Sequence, residues 1–279
     1  MLRSLLAREL LHRARLPRAL ADALTLLQPP SQCEVCRQWG TRALCSDCIA
    51  RYAAPLARCR RCGLRLGLST PACGACLRET PPFERTVCVA DYGFPWDRLI
   101  TEFKFESRVE LAGVLAEVLA DVLADVHADG RASVRADGRA DVLAQRPHET
   151  PTPGDAPAVS LVLPVPLSAS RLAERGYNQA WEIACRLAAR AGLPARADLL
   201  LRPWDTAHQA DLGRSERQLN LRTAFMVDAR QRAALQGRCV ALVDDVMTTG
   251  ATAREAAAAL LRGGASAVHV WVIARTADH

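Results

Sequence analysis

Three things are scarce in this sequence: aromatic residues, long apolar runs and lysine. Aromatic side chains make up 5% of the residues, which is few for a protein that stacks many nucleic-acid bases. No apolar run approaches the ~20 residues that span a bilayer, which argues against a membrane span. Lysine and arginine together number 36, yet Lys104 is the only lysine. Because arginine cannot replace a compact ammonium, Lys104 is either a chance survivor or a point charge for phosphate or pyrophosphate.

A secretory signal is also lacking. Residues 1–27 are rich in leucine and arginine but have neither a continuous apolar core nor a small-residue cleavage site. We therefore expect an N-terminal helical segment over residues 1–30 in a bacterial cytoplasmic protein, although a mitochondrial presequence would match the composition too. Residues 1–80 hold 13 arginines and five acidic residues, a formal +8, which two four-thiolate zinc sites would lower to about +4. This mild basic excess is compatible with nucleic acid without being diagnostic.

Cysteine, in contrast, is frequent and regularly spaced. Eight of the eleven cysteines form four Cys-x-x-Cys pairs: Cys33/Cys36, Cys45/Cys48, Cys59/Cys62 and Cys73/Cys76. Two such pairs supply the thiolates of a closed structural zinc site, so residues 31–80 are predicted to form a double zinc-ribbon-like module. The pairs join either consecutively or in an interleaved order. Four disulfides would need an oxidising compartment, and four copies of a redox motif suit a scaffold better than a catalyst.

The clearest functional pattern lies near the C-terminal end. Val240–Val243 predict a strand buried on both faces, and Asp244 and Asp245 follow directly. A Thr/Gly loop, Thr248–Thr252, then opens an Ala-rich helix over residues 254–262. Ligands of open α/β sheets bind at the carboxyl ends of strands, where loop amides and a helix dipole hold an anion. Carboxylates repel a phosphate, so two acids beside this loop make sense only if the ligand also offers hydroxyls or a metal ion. The pattern therefore indicates a ribose phosphate.

A second candidate anion site follows the short apolar strand predicted over residues 159–163. Arg171 and Arg175 lie just beyond its carboxyl end and suit an anionic group, although two arginines four residues apart also describe a solvated helix face. Further along the chain, a polar stretch is predicted to form either a lid that excludes water from a reactive sugar cation or a polar surface hairpin. The candidate lid residues are Thr206, Gln209, Arg217 and Asn220.

Residues 121–157 differ in composition from the rest of the chain. The pentapeptide Ala-Asp-Gly-Arg-Ala occurs at residues 128–132 and again at 136–140, and four prolines follow. Because the segment has no apolar stripe to bury, we interpret it as a low-complexity, mobile surface insertion. It interrupts an α/β domain predicted over residues 81–279, which begins with one strand and two helices.

The stretch Val240–Thr252 resembles the phosphoribosyl pyrophosphate (PRPP) signature of the type I phosphoribosyltransferases. The resemblance implies a type I phosphoribosyltransferase-like parallel sheet, with the two acids on the ribose hydroxyls and the loop on the 5-phosphate. Catalytic roles are then expected for Asp244 and Asp245, with Lys104 and Arg175 neutralising the pyrophosphate. The expected PRPP-binding residues are Asp244, Asp245, Val246, Met247, Thr248, Thr249, Gly250, Ala251 and Thr252, together with Arg171 and Arg175.

With its cysteine pairs, Phe-Lys-Phe at residues 103–105 and Arg-Gly-Tyr-Asn-Gln at 175–179, the chain is similar to the ComF (ComFC) competence family. These proteins join a small zinc module to a phosphoribosyltransferase-like domain. The chain departs from their pattern at Phe105, where Tyr is usual, and at Tyr177, where Phe is usual. The resemblance implies a role in natural transformation and DNA uptake, with a ComFA-like helicase and other competence proteins as partners. Gluconate-utilisation-associated relatives share the architecture, so another pathway stays open.

Two functions are consistent with these features. The first is a phosphoribosyltransferase with an unidentified acceptor, which binds PRPP with Mg²⁺ while structural Zn²⁺ holds the cysteine module. The second is a non-catalytic adaptor that binds single-stranded DNA and partner proteins. The candidate residues for stacking on bases are Trp39, Tyr52, Trp181 and Trp204. Core packing is a simpler explanation than base stacking for each of them. The arginine loop favours the first function.

Overall fold

Residues 30–67, 70–132, 158–203 and 224–277 are described by the structure, a computed structural model. The secondary-structure elements are β1 (Ser31–Gln32), β2 (Trp39–Gly40), α1 (Ser46–Tyr52), α2 (Gly74–Arg78), β3 (Arg85–Asp91), α3 (Trp96–Phe105), α4 (Leu111–Ala132), β4 (Leu161–Pro164), α5 (Ala169–Arg175), α6 (Gln179–Ala191), β5 (Leu200–Leu201), β6 (Met226–Val227), a 3₁₀ helix (Ala229–Ala234), β7 (Cys239–Met247), α7 (Ala251–Arg262) and β8 (Ala267–Arg275). Among the described residues, no helix combines the length and apolar character needed to cross a bilayer.

The chain divides into two compact units, residues 1–51 and 52–279. This boundary falls inside the cysteine module that we predicted as one domain over residues 31–80. The physical reason is that the second half of the module is hydrogen-bonded to the main sheet: the amide of Thr86 in β3 donates to the carbonyl of Arg60 at 2.9 Å, and its hydroxyl donates to the carbonyl of Arg61 at 2.6 Å. The second pair of Cys-x-x-Cys turns therefore belongs to the α/β unit.

The α/β unit is built on a parallel sheet with the strand order β3–β8–β7–β4. Strands covered by helices on both faces read as continuous apolar runs, and all nine residues of β8 are buried. The α/β class with a parallel sheet is thus confirmed. A separate antiparallel pair, β5 and β6, joins Leu200 to Val227 and Leu201 to Met226.

Apolar helix faces cover the sheet. Helix α4 buries Leu111, Leu115 and Leu119, which are spaced four residues apart and so share one face. Helix α6 buries Ile183 and Leu187 in the same manner and packs against α4, β4 and β7. Helix α4 in turn packs against β3 and β8, so the two helices together contact all four strands.

Two elements extend further than the sequence pattern indicates. Strand β7 continues past Val243 to Met247, because Asp244 and Val246 keep their register against Val272 and Ala274 of β8. The two acids therefore lie within the last residues of strand β7 and not after its end. Helix α4 continues to Ala132, so residues 121–132 of the segment predicted as a loop are helical. The rest of that segment, 133–157, lies outside the described residues.

The Cys-x-x-Cys turns at Cys33 and Cys59 repeat one backbone pattern. The amide of Cys33 donates to the carbonyl of Gln38 at 2.8 Å, and the amide of Cys59 donates to that of Leu64 at the same distance. Each turn also places one residue in the left-handed region, Arg37 at φ 63° and Gly63 at φ 71°. The equivalent positions show that the turn needs this conformation whichever residue occupies it.

We expect Gly63→Ala to lower the free energy of unfolding by about 1–2 kcal/mol, because a left-handed conformation costs a residue with a Cβ roughly this much. The new Cβ would also lie 3.0 Å from Cγ2 of Thr86. Gly67→Ala is the matched control, since no atom lies within 4 Å of its Cβ position. Urea denaturation followed by circular dichroism measures both. Equal stability of the two variants would show that the turn does not require glycine.

Candidate functional site

The two acids of β7 are differently placed. Asp245 is 6% exposed, and its Oδ1 accepts a hydrogen bond from the backbone N–H of Val246 at 2.8 Å. Asp244 is half-buried, and its Oδ1 accepts from the N–H of Asp245 at 2.9 Å. Each carboxylate is thus held by the next amide, which fixes both at the carboxyl edge of the sheet.

Lys104 approaches these acids from helix α3. Its Nζ lies 2.7 Å from Oδ2 of Asp245, because α3 ends one residue later and its buried Phe103 anchors the last turn. The single lysine therefore contacts an acid expected to bind ribose. Its expected role at the pyrophosphate stays a prediction.

Asp244 resists ionisation. Burial, and then the neighbouring Asp245 carboxylate, raise its pKa to about 8, although the charge of Lys104 acts in the opposite direction. Desolvation and like charge both disfavour a second carboxylate. At neutral pH and without a ligand, a proton is therefore held at Asp244, and a ligand that needs this group as an acceptor must displace it.

The loop after β7 forms the floor of a pocket. Gly250 has φ 77° and precedes helix α7, and Oγ1 of Thr249 accepts from the N–H of Ala251 at 3.3 Å. Thr248 and Thr252 are exposed beside it. The pocket is small, with a cavity volume of about 30 Å³. Its lining includes Val165, Asp244, Val246, Met247, Thr248, Gly250, Ala251 and Thr252.

The Arg-Gly-Tyr-Asn-Gln motif is a helix end followed directly by a helix start. Gly176 has φ 78° and ends α5, and Oδ1 of Asn178 accepts from the amides of Ala180 and Trp181 to cap α6. Nδ2 of Asn178 also donates to the carbonyl of Val165 at 3.0 Å. Since Val165 lines the pocket, the motif is fastened to its wall.

This motif packs on Phe-Lys-Phe. The hydroxyl of Tyr177 donates to the carbonyl of Phe103, and the Arg175 guanidinium lies 5.1 Å from the centre of the Phe105 ring. Nη1 of Arg175 donates to Oε1 of Gln179 at 3.0 Å. Two segments 70 residues apart in sequence are thereby joined beside Lys104, a contact that neither motif predicts alone.

Two buried donors at this junction have no hydrogen-bond partner among the described residues: Nε of Arg175 and Nε2 of Gln179. Buried unsatisfied polar groups are costly and uncommon. Their chemistry, a guanidinium and an amide N–H, suits an anionic ligand group. Arg171 is exposed on α5, and none of the described contacts joins it to this junction.

The candidate lid residues Thr206, Gln209, Arg217 and Asn220 lie outside the described residues. The two flanks of that segment are nevertheless described, since Leu201 in β5 pairs with Met226 in β6. Sequence reasoning left Tyr177 and Asn178 without roles of their own. A glycine that ends one helix, followed two residues later by an asparagine cap, is the signal that could have identified the Asn178 tether.

The eight motif cysteines form two clusters, Cys33/Cys36/Cys45/Cys48 and Cys59/Cys62/Cys73/Cys76, in each of which the four Sγ atoms lie within 4.8 Å of one another. The pairing is therefore consecutive and not interleaved. All eleven cysteines are among the described residues and carry free thiols.

The cluster geometry fits a tetrahedral zinc ion. Four sulfurs at the Zn–S distance of ~2.3 Å lie about 3.8 Å apart, and the Cys36–Cys45 and Cys62–Cys73 sulfurs are each 3.6 Å apart. The amide of Cys73 donates to Sγ of Cys59 at 3.3 Å. Burial opposes the Cys59 thiolate, but such N–H donors outweigh it and lower its pKa to about 7, whereas burial raises the pKa of Cys62 to about 11.

Comparisons with known proteins give close relatives over nearly the whole chain. DNA utilization protein YhgH of Salmonella typhi is 34% identical over 257 residues, which cover 90% of this chain and 100% of the relative. YhgH of Escherichia coli (strain K12) is 33% identical over 258 residues, with the same coverage. Competence protein F of Haemophilus influenzae is 31% identical over 232 residues, covering 83% of this chain and 90% of the relative.

No family model matches the chain. Among solved structures, the glutamine PRPP amidotransferase from B. subtilis complexed with ADP and GMP is similar at a TM-score of 0.31 and 22% identity, over 43% of this chain and 23% of that one.

We expect Lys104→Met to destabilise the protein by on the order of 3 kcal/mol, because it leaves the buried Asp245 carboxylate without its cation. Adding Asp245→Asn to Lys104→Met should recover most of this loss, which a double-mutant cycle in urea measures. Arg196→Met is the control: it breaks a 2.6 Å pair with the exposed Asp198 and should cost about 0–1 kcal/mol. Additive effects of the Lys104 and Asp245 changes would contradict the pairing.

Proposed function

The chain belongs to the competence protein F (ComF) family, together with DNA utilization protein YhgH, and on this premise we propose that it binds Mg²⁺–PRPP and acts in natural competence and DNA uptake. The names of its relatives refer to competence and to DNA utilization, which supports this setting over a purely metabolic one. We expect the protein to act in the bacterial cytoplasm, where thiols stay reduced and can bind zinc.

The observation that carries the PRPP proposal is that one acid, Asp244, lines the same pocket as the loop that opens helix α7, with Asp245 next to it in the strand. Asp244 lines the pocket together with Thr248, Gly250 and Thr252. Loop amides and the start of helix α7 attract a phosphate, whereas a carboxylate repels one and accepts hydrogen bonds from hydroxyls. A ligand that carries a phosphate at one end and vicinal hydroxyls at the other satisfies both, and ribose 5-phosphate has this form.

In the proposed complex, Asp244 and Asp245 accept hydrogen bonds from the ribose hydroxyls, and residues 246–252 hold the 5-phosphate. The unsatisfied Nε of Arg175 supports a role for the junction at the pyrophosphate, where Arg171 and Lys104 would add positive charge. Mg²⁺, whose hard-ligand preference the carboxylate and phosphate oxygens match, would neutralise part of the pyrophosphate charge when bound. The acceptor of the phosphoribosyl group is unidentified, so enzymatic transfer is the further part of the proposal.

Each cysteine cluster is proposed to hold one structural Zn²⁺, supported by the Sγ spacing and by the N–H donors to Cys33 and Cys59. A segment this short cannot bury a sufficient core on its own, so metal binding would supply the missing folding free energy.

Mg²⁺–PRPP titrated calorimetrically into the zinc-loaded protein should bind with a Kd in the micromolar range, about −8 kcal/mol. Asp244→Asn combined with Asp245→Asn should abolish binding, because amides cannot supply the same charged acceptors to the hydroxyls. Binding should also tighten as the pH rises from 7 towards 8.5, since Asp244, whose pKa is raised to about 8, must lose its proton to accept. In Asp244→Asn alone this pH dependence should disappear.

Asp198→Asn is the control for this titration, because Asp198 is an exposed acid that pairs with Arg196 at 2.6 Å away from the pocket. It should bind Mg²⁺–PRPP as the unchanged protein does. A failure of the folded, zinc-replete protein to bind would defeat the PRPP proposal.

A non-catalytic adaptor is the second candidate, and one observation favours it. Trp39 is 72% exposed on β2 in the first cysteine unit, whereas Tyr52 is engaged by the ring of Phe94 at 5.5 Å and Trp181 is half-buried. An exposed tryptophan in an arginine-rich segment is suited to stacking on a base. Trp204 lies outside the described residues. Single-stranded DNA, a ComFA-like helicase and other competence proteins would be the partners.

If this adaptor function operates, Trp39→Ala should weaken binding of a fluorescent oligothymidylate by about 5- to 150-fold, which corresponds to the ~1–3 kcal/mol of one stacked base. Leu77→Ala removes an equally exposed apolar side chain, at 73%, and should leave the affinity unchanged. Fluorescence anisotropy at one fixed salt concentration measures both. Equal affinities of the two variants would remove the support for stacking at Trp39.

A further inference from the structure

Arg275, the last residue of β8, connects the loop Thr248–Thr252 with the second cysteine cluster. The proposed function gives these two parts of the α/β unit separate roles. It is 3% exposed, and sequence reasoning assigned it no role. Its Nε donates to the carbonyl of Cys62 at 3.1 Å, and its Nη1 donates to the carbonyl of Thr276 at 2.6 Å. A buried guanidinium requires such acceptors, so its position depends on both.

On one side, this contact reaches the loop of the pocket. The amide of Thr276 donates to the carbonyl of Met247 at 3.1 Å, and Met247 is opposite Arg275 in the β7–β8 register. Met247 directly precedes the loop, and its Sδ lies 3.6 Å from the Cβ position of Gly250. The backbone at Met247 therefore supports the glycine that shapes the loop.

On the other side, the contact reaches the second cysteine cluster. The carbonyl of Cys62 belongs to the Cys59–Cys62 turn, and the amide of Gly63 in that turn donates to the carbonyl of Cys59 at 2.9 Å. The sulfurs of Cys62 and Cys73 are 3.6 Å apart. A metal held by these sulfurs fixes the turn, and with it the carbonyl that Arg275 uses.

We propose that Arg275 is a positioning residue that couples the Cys59/Cys62/Cys73/Cys76 cluster to the loop Thr248–Thr252, so that metal in this cluster holds the loop in its binding conformation. The chain of contacts runs from the Cys62 carbonyl through Arg275 to Thr276 and Met247. The cluster is then more than a scaffold for its own segment. The consequence for ligand affinity rests on the proposed PRPP site, but the coupling itself does not.

The test is hydrogen exchange of the amides in residues 247–252, measured on the full chain without PRPP. Cys36→Ser and Cys45→Ser remove the first cluster, so that a chelator then acts on the second alone. In this background, chelation should raise loop exchange about tenfold, within the ~5–150-fold usual for coupled sites. Exchange in helix α6 serves as the reference for global opening, and zinc release is followed with a metal indicator.

Arg275→Met should raise loop exchange about tenfold before chelation and make it insensitive to chelator afterwards, because the coupling contact is lost. Arg275→Lys keeps the charge but not the planar fork and should give an intermediate response. The matched control is Arg58→Met. Nη1 of Arg58 donates to the carbonyl of Gly63 in the same turn at 3.1 Å, but the same atom pairs with Oδ1 of Asp91 and not with Thr276, so the chelator response should persist.

Thr276→Pro provides a second route if Arg275→Met fails to fold. It deletes the N–H that bonds to Met247 while Arg275 and the cysteines remain, and it should give the same insensitivity with zinc still bound. The proposal is overturned if the loop of an uncoupled variant responds to chelator as the parent does, or if loop exchange rises only in step with α6. Because no PRPP is present, failure of PRPP binding would leave this result intact, and the reverse also holds.

Discussion

Two adjacent carboxylates at the end of a buried strand are the constraint on which the rest of this site depends. Asp244 and Asp245 cannot both be charged in a poorly solvated position unless a cation or a set of N–H donors compensates them. Three features compensate or reduce this negative charge. Lys104 pairs with Asp245 at 2.7 Å, and backbone amides donate to one oxygen of each acid. The pKa of Asp244 is also raised, which favours its protonated form. A ligand that uses Asp244 as an ionised acceptor must therefore displace that proton.

Supplying that cation determines much of the surrounding architecture. Helix α3 must end where Lys104 can reach Asp245, and the buried side chain of Phe103 anchors this end of the helix. Tyr177 bonds to the backbone of that residue and Asn178 bonds to the end of β4, so the junction spans from the lysine to the pocket wall. Phe105 and Tyr177 place two aromatic rings at the junction, and the hydroxyl that bonds to α3 comes from Tyr177.

The local elements could be predicted from the sequence because each depends on neighbouring residues. Apolar runs predicted buried strands, the Cys-x-x-Cys spacing predicted the cysteine clusters but left their pairing open, and α3 is the first of the two helices expected after the first strand of the α/β domain. What could not be predicted depends on partners distant in sequence. The acids of β7 remain in the strand because of their register with β8, and the second pair of Cys-x-x-Cys turns is joined to β3 by the hydrogen bonds of Thr86. Arg275 was missed since nothing in a strand-end arginine reveals a buried acceptor at Cys62.

The same contacts explain why a chain so rich in arginine has lysine at position 104. Asp245 offers one oxygen here, because its other oxygen already accepts from the amide of Val246. An ammonium can approach a single oxygen closely and turn its remaining donors to solvent or ligand, whereas a guanidinium is a planar fork best matched to two acceptor oxygens. Arginine at this position would leave donors in a space where only 19% of the side chain reaches solvent. The rare residue therefore has a chemical reason that holds whatever ligand the pocket takes.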